Sequence, residues 1–303
     1  MKIRPLPFSL AALALASATS FAPLRAQQTL DTAAISAALS RTGKMMPGDV
    51  YRVGLPRTDL HVTIDGLVLK PGFALGGYAV YKAEPQGTLV LGDMVLLPSE
   101  VSAVQQSLES SGFAITALHN HLLNEVPHVV YMHYLRVGDA GHMSSDLQKA
   151  LALTKIPVAA PAPSTPAVAP AAADFAGEDV IDQVLGRKGS VTGGVLSIGA
   201  PRAETVTLNG MTIPASMGVA TAMNFQPADG GRVATTGDFV LIASEVRPVQ
   251  EALKAHGFLA TALHQHMLGD VPTLYYMHFY AVGTPDAIAN GLKDGLSHVN
   301  LKN

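Results

Sequence analysis

The sequence predicts an α+β protein of two tandem homologous domains, each an antiparallel sheet with helices packed on one face. Two observations carry that expectation. The chain repeats itself at a shift of about 145 residues: Phe113-Ala-Ile-Thr-Ala-Leu-His119-Asn-His121 returns as Phe258-Leu-Ala-Thr-Ala-Leu-His264-Gln-His266. Tyr131-Met132-His133 returns as Tyr276-Met277-His278, and Gly92-Asp93 as Gly237-Asp238. Within each half, short alternating segments bounded by Gly and Pro surround one strongly periodic helix, the pattern of strands packed with helices.

The elements follow in order. A helical lead is expected at Asp31–Ser40 and again at Ala176–Leu185. Strands are expected over 50–54, 61–69, 77–82 and 89–97, because β-prone residues alternate there between turn residues. Asp65-Gly66 and Asn209-Gly210 mark hairpins, since both central residues of such a turn need positive φ. The clearest helix has Val101, Val104 and Leu108 at helical spacing, with Ser99 as its expected cap and Gly112 as its terminator. Ser244, Val246, Val249, Leu253 and Gly257 repeat that helix. Two further strands carry the histidines, and a last helix closes each half at 144–153 and 285–296.

A length of 303 residues suits two domains. Residues 1–26 read as a signal peptide: Lys2 and Arg4 precede a short apolar run from Phe8 to Ala18, and small residues lead to Ala26. The run is too short to span a bilayer. Residues 156–173 form a Pro/Ala-rich linker, extended and semi-rigid, between a first repeat at 27–155 and a second at 174–303. There is no cysteine, so no disulfide supports the fold and no thiol accepts an N-terminal lipid. The expected location is secreted or periplasmic, with no transmembrane segment in the mature chain. A formal net charge of -3 and the absence of Lys/Arg clusters exclude nucleic acid as a partner class.

Six of the eleven histidines lie in the repeated segment. Residues i and i+2 of a strand share a face, so His119 projects with His121 and His264 with His266. A turn symmetric about Val126-Pro127 would set His119 opposite His133 and His121 opposite Tyr131, with side-chain roots roughly 5 Å apart. The same count sets His264 opposite His278 and His266 opposite Tyr276. His119, His121 and His133, and likewise His264, His266 and His278, are therefore candidate ligands of a divalent metal in each repeat. Zinc is the natural choice for three imidazoles with an open fourth position. A polar ligand pocket without metal and a structural hydrogen-bond network are the other readings of the same residues.

Glu125 and Asp270, in the link after each His-x-His pair, are candidate ligands or general bases, and also ordinary turn residues. Tyr131 and Tyr276 are candidate hydrogen-bond donors to a bound oxyanion. Met132 and Met277 point to the opposite face and belong to the core. Glu100 and Glu245 sit where a helix dipole favours a carboxylate, with a role in orienting a histidine as the alternative. Arg57 and Arg202 read as surface arginines. His-x-His followed by Glu is also a cupin-like pattern, but a strong helix leading into the histidine strand does not suit a jelly roll. No nucleophile or phosphate-loop signature is present.

The Ser-Glu-Val…Ala-Leu-His-x-His and Tyr-Met-His segments, present in both halves, resemble the LppY/LpqO family of bacterial exported proteins. The resemblance spans most of the mature chain and implies secretion without an established activity. The sequence thus supports a secreted protein with a metal site in each repeat, a metal binder or a metal-dependent hydrolase. The alternative is a non-enzymatic envelope module that holds a glycan or protein.

Overall fold

The computed structural model describes residues 29–157 and 175–302; the expected signal peptide and nearly all of the expected linker lie outside the described residues. The first repeat runs α1 (Thr32–Leu39), β1 (Lys44–Met46), β2 (Val50–Pro56), β3 (Thr63–Ile64), β4 (Leu67–Val68), α2 (Pro71–Ala74), β5 (Gly76–Glu84), β6 (Gly87–Leu96), α3 (Pro98–Ser110), β7 (Ala114–His119), β8 (Val130–Gly138) and α4 (Ala140–Leu151). The second runs α5 (Glu178–Leu185), β9 (Ser190–Thr192), β10 (Val195–Pro201), β11 (Val206–Leu208), β12 (Met211–Ile213), β13 (Ala220–Pro227), β14 (Val233–Leu241), α6 (Ala243–Ala255), β15 (Leu259–His264), β16 (Asp270–Val271), β17 (Tyr275–Gly283) and α7 (Pro285–Ser297).

Each repeat forms a six-stranded antiparallel sheet, in the orders β1-β2-β5-β6-β8-β7 and β9-β10-β13-β14-β17-β15. The expected α+β architecture, built twice, is what the chain adopts. Both hairpins form where the turn residues placed them, with Asp65, Gly66, Asn209 and Gly210 all at positive φ. Helix α3 starts one residue before the expected cap. Pro98, whose fixed φ suits a first turn, leads the helix, and the Leu97 N–H donates to the Glu100 carboxylate at 2.8 Å. Helix α4 starts at Ala140, capped by Asp139.

Strand β6 is buried along almost its whole length, which shows that both faces of the sheet are covered. Val90, Met94 and Leu96 join Met132, Leu108 and Leu147 beneath the repeat's own helices. Leu89 and Leu91, on the alternate positions, pack against Met211, Met217 and Tyr276 of the other repeat. Val95 and Tyr131 likewise share a cluster with Val195 and Ala234. The two sheets therefore meet through their helix-free faces, with an insert of each repeat between them. Helix α2, in one insert, lies against β13 and β14 of the second repeat. Hydrogen bonds tie that seam: Lys70 N–H donates to Gln226 Oε1 at 3.0 Å, and Gln226 Nε2 donates to the Val68 carbonyl at 2.9 Å. No helix among the described residues is long and apolar enough to cross a membrane.

Arg57 and Arg202 are not surface residues. Their exposures are 0% and 5%, and each ends a strand beneath the helix that follows. Arg57 donates to Glu100 at 2.6 Å, to Asp59 at 2.9 Å and to the Val95 carbonyl at 2.9 Å. Arg202 repeats this with Glu245, Glu204 and the Val240 carbonyl. Glu100 and Glu245 therefore join strand end to helix start, and each also accepts a backbone N–H from the segment after the last helix, at Lys155 and Asn300. The guanidinium fork satisfies two carboxylates and a carbonyl at once, which makes a charge buried this deeply tolerable. Removing one partner leaves the others desolvated and unpaired. We expect Arg57→Ala to lose about 3–5 kcal/mol of unfolding free energy, with Arg57→Lys losing less because charge is kept and only the fork is lost. Urea denaturation followed by circular dichroism measures both.

Candidate metal centre

The histidines stand on the inter-repeat faces, and local structure decides how. His133 is central in β8, directly beside Asp93 on β6; His278 and Asp238 repeat the pair on β17 and β14. His119 ends the edge strand β7 and lies opposite Tyr131, while Ala117 lies opposite His133. His264 lies opposite Tyr276 in the same way. The expected register is thus displaced by two residues. The chain does not turn tightly about Val126-Pro127: residues 120–129 form a wide link with Leu122 buried in it. The expected pairing of His119 with His133 fails for that reason.

A bulge at Thr116, and another at Thr261, adds one residue to each edge strand. The extra threonine reaches across to the other repeat. Thr116 Oγ1 donates to the His266 carbonyl at 2.6 Å, and Thr261 Oγ1 to the His121 carbonyl at 2.5 Å. His121 and His266 therefore leave their strands and are held by the opposite repeat. The insert steadies the same link, since Thr63 and Val126 exchange backbone hydrogen bonds at 2.8 and 2.9 Å.

All six imidazoles meet in one cluster. The His119 and His264 rings stack with centroids 3.6 Å apart, His121 lies 3.8 Å from His278, and His133 lies 3.8 Å from His266. Ring nitrogens of His119, His133, His264 and His266 fall within 4.8 Å of one another, as do those of His119, His121 and His278. The expectation of one self-contained triad per repeat is corrected accordingly. Each group mixes both repeats: the pair His119 and His121 joins His278 of the other sheet, and the pair His264 and His266 joins His133.

The ring nitrogens are poised for a ligand. Nδ1 of His278 bonds the Gly237 carbonyl at 3.0 Å, and the Gly92 backbone holds the His133 ring in the same way. Such a bond fixes the tautomer and leaves Nε2 facing the cluster. Glycine is required there: a Cβ on Gly237 would fall 1.8 Å from the Ala222 carbonyl oxygen, and one on Gly92 would fall 2.1 Å from the Tyr134 ring. Nε2 of His119, His121, His133 and His266 is buried without a hydrogen-bond partner. Several desolvated imidazole nitrogens aimed at one point are costly unless something binds them. Burial pushes the six imidazoles down, with crowding by like groups adding to it for all but His264; His133 falls to about 3 and His264 to about 4. They are neutral at physiological pH, the form that ligates metal.

Asp93 and Asp238 line the cavity beside the cluster, and sequence reasoning did not single them out. Burial pushes Asp93 up to about 8, with the Asp238 charge adding to it, and burial pushes Asp238 up to about 7. Their signal was present: Gly-Asp recurs 26 residues before His119 and before His264. Above the centre lies a cavity of about 470 Å³ whose lining includes His121, His133, His266, His278 and both aspartates.

The other candidates take different places. Glu125 is buried in the link, where it contacts His128 at 2.6 Å and accepts the Val129 N–H at 3.2 Å. Asp270 accepts the Leu274 N–H at 2.8 Å. Both shape the turn and neither belongs to the histidine groups. Tyr131 stacks on His121 at 3.4 Å and donates its hydroxyl to the Ala74 carbonyl at 2.6 Å. Tyr276 stacks on His266 at 3.3 Å, and its buried hydroxyl has no partner. The tyrosines thus wedge the two link histidines in place. Met132 and Met277 lie beneath the helices, as expected.

Comparison with known proteins gives the class. The family described as a domain of unknown function (DUF1259) matches twice, over residues 33–153 and 179–298, and the chain belongs to that family as a tandem two-repeat member. No curated protein matches the chain. Among solved structures, the trimeric bacterial microcompartment shell protein PduB is 9% identical with a TM-score of 0.24, covering 84% of this chain and 93% of that one. EtuB from Clostridium kluyveri is 12% identical with a TM-score of 0.19, covering 84% and 90%. Likeness this slight carries no argument about the present molecule.

The shifted groups fix a pH dependence for the metal-free protein. Six imidazoles with lowered values stabilise the fold above 6.5, and that contribution is lost as pH falls toward 4. Two carboxyls with raised values act oppositely: their contribution is full below 3.8 and is lost as pH rises through 7 to 8. Six outweigh two, so stability should climb from pH 4 to a maximum near 6.5 and decline gently above it. Urea midpoints measured across that range in the presence of a chelator test this.

Proposed function

We propose that the chain is an exported metal-binding protein whose two ions sit side by side at the junction of the repeats. One site uses His119, His121 and His278; the other uses His264, His266 and His133. The single observation that carries this reading is the convergence of six neutral, buried or half-buried imidazoles, four of them with an Nε2 that has no protein partner, while His264 and His278 turn their Nε2 atoms to each other at 2.9 Å. Imidazole suits zinc, copper, nickel or iron, and three-histidine coordination suits zinc best. The cavity above the cluster gives a substrate access, so metal-assisted hydrolysis is the activity such a centre would support, with Asp93 and Asp238 as its acid–base groups. Export is supported by the Lys2, Arg4 and Phe8–Ala18 pattern and by the resemblance to exported LppY/LpqO proteins.

Elemental analysis of mature protein purified without a histidine tag tests the reading. About two divalent ions per chain are expected. His121→Ala and His266→Ala should each remove about one ion while near-native circular dichroism persists. A wild-type chain that carries no metal, and takes up none on incubation with zinc, removes the proposal and leaves the cavity as a metal-free ligand pocket.

A further inference from the structure

The two repeats supply matching rows to the cavity, and the rows differ. Strand pairing aligns Tyr78, beside Asp93, with Ala222, beside Asp238. One step along the strands, Arg52, Val80 and Leu91 lie abreast in the first repeat, and Ser197, Asn224 and Thr236 in the second. In the first repeat the row is filled. Val80 and Leu91 pack with Met217 and Val219, and the space left between Tyr78, Leu91 and His133 is about 10 Å³. In the second repeat small and polar residues leave the recess open beside Asp238 and His278, within the cavity of about 470 Å³. That volume is in the range of small-molecule sites.

The open recess is polar with capacity to spare. Ser197 Oγ donates to Asn224 Oδ1 at 2.7 Å and keeps its own lone pairs. Asn224 Nδ2 donates to the Phe73 carbonyl at 3.2 Å and keeps one N–H. Arg52 is the one lysine or arginine among the lining residues; its guanidinium lies 3.9 Å over the Tyr78 ring. Stacking leaves the edge of the fork free for a planar anion.

We propose that this recess binds one small hydroxylated carboxylate, of the sugar-acid type, per chain. Arg52 takes the carboxylate, Ser197 and Asn224 take hydroxyl groups, and the centre beneath supplies further positive charge. The inference rests on the metal reading, because two divalent ions outweigh the two aspartates and make the cavity floor attractive to an anion. The first repeat has surrendered the equivalent site, so duplication left two metal sites and one ligand site.

Isothermal titration of zinc-loaded protein with gluconate, glucose and acetate tests this, with zinc content measured on the same samples. Gluconate should bind at one per chain, and glucose and acetate at least tenfold more weakly. Ala222→Tyr, which installs the ring the other repeat carries, should weaken gluconate at least tenfold with zinc content unchanged. Asn224→Val, the other repeat's residue, should do the same if the tyrosine variant misfolds, and Arg52→Gln should erase the preference for gluconate over glucose. Zinc-loaded wild type that ignores gluconate, binds two, or is indifferent to Ala222→Tyr and Asn224→Val overturns the inference. A wild type without zinc fails the metal reading instead, which keeps the two distinguishable.

Discussion

Each sheet has two apolar faces and helices enough for one. Leu89, Leu91 and Val95 alternate along β6 with Val90, Met94 and Leu96, and only the second set lies under the repeat's own helices. Leaving the first set in water would forgo roughly 1.5–3 kcal/mol for each large side chain. The other repeat is what covers it. This mutual burial is the constraint from which the site follows, because the histidines and aspartates occupy the same faces. Once the sheets close, those groups are brought together and desolvated together.

Such a seam is an unfavourable place for polar groups without a reason to be there. An unpaired buried nitrogen costs about 1–3 kcal/mol, and several imidazole nitrogens here have no partner. The surrounding structure nonetheless holds them with care. Threonines at two bulges clamp the link histidines across the seam, tyrosine rings back them, and glycines beside both aspartates let backbone carbonyls reach the strand histidines. Support of this kind around groups that weaken the core is what the proposed metal centre requires. The deeper ion pairs at Arg57 and Arg202 lie at the strand ends and hold each helix to its sheet, so among the residues lining the cavity Arg52 is the one lysine or arginine.

Duplication also gave the molecule freedom to differentiate. The six imidazoles exchange contacts in a two-fold pattern, while the rows beside them have diverged: Tyr78, Val80 and Leu91 close one side, and Ala222, Asn224 and Thr236 open the other. A symmetric histidine cluster thus lies beneath an asymmetric cavity, as the proposed pair of metal sites with one ligand recess requires.

Much of this was legible in the residues. The duplication, the antiparallel sheets, the Asp65-Gly66 and Asn209-Gly210 hairpins, the α3 and α6 helices and the identity of the six histidines all follow from local pattern and repetition, because turn geometry and side-chain periodicity are properties of neighbouring residues. The Gly-Asp repeat could have added Asp93 and Asp238. What the sequence did not contain is any statement of distance between the halves. Arg57 and Arg202 looked like surface arginines because the partners that bury them, Glu100 and Glu245, lie 43 residues away. Register at His119 depended on a bulge and a wide link, and the meeting of each His-x-His pair with the other repeat depended on contacts as long as 150 residues. Local chemistry thus determined which groups the protein carries; the burial of two sheet faces against each other decided where those groups meet.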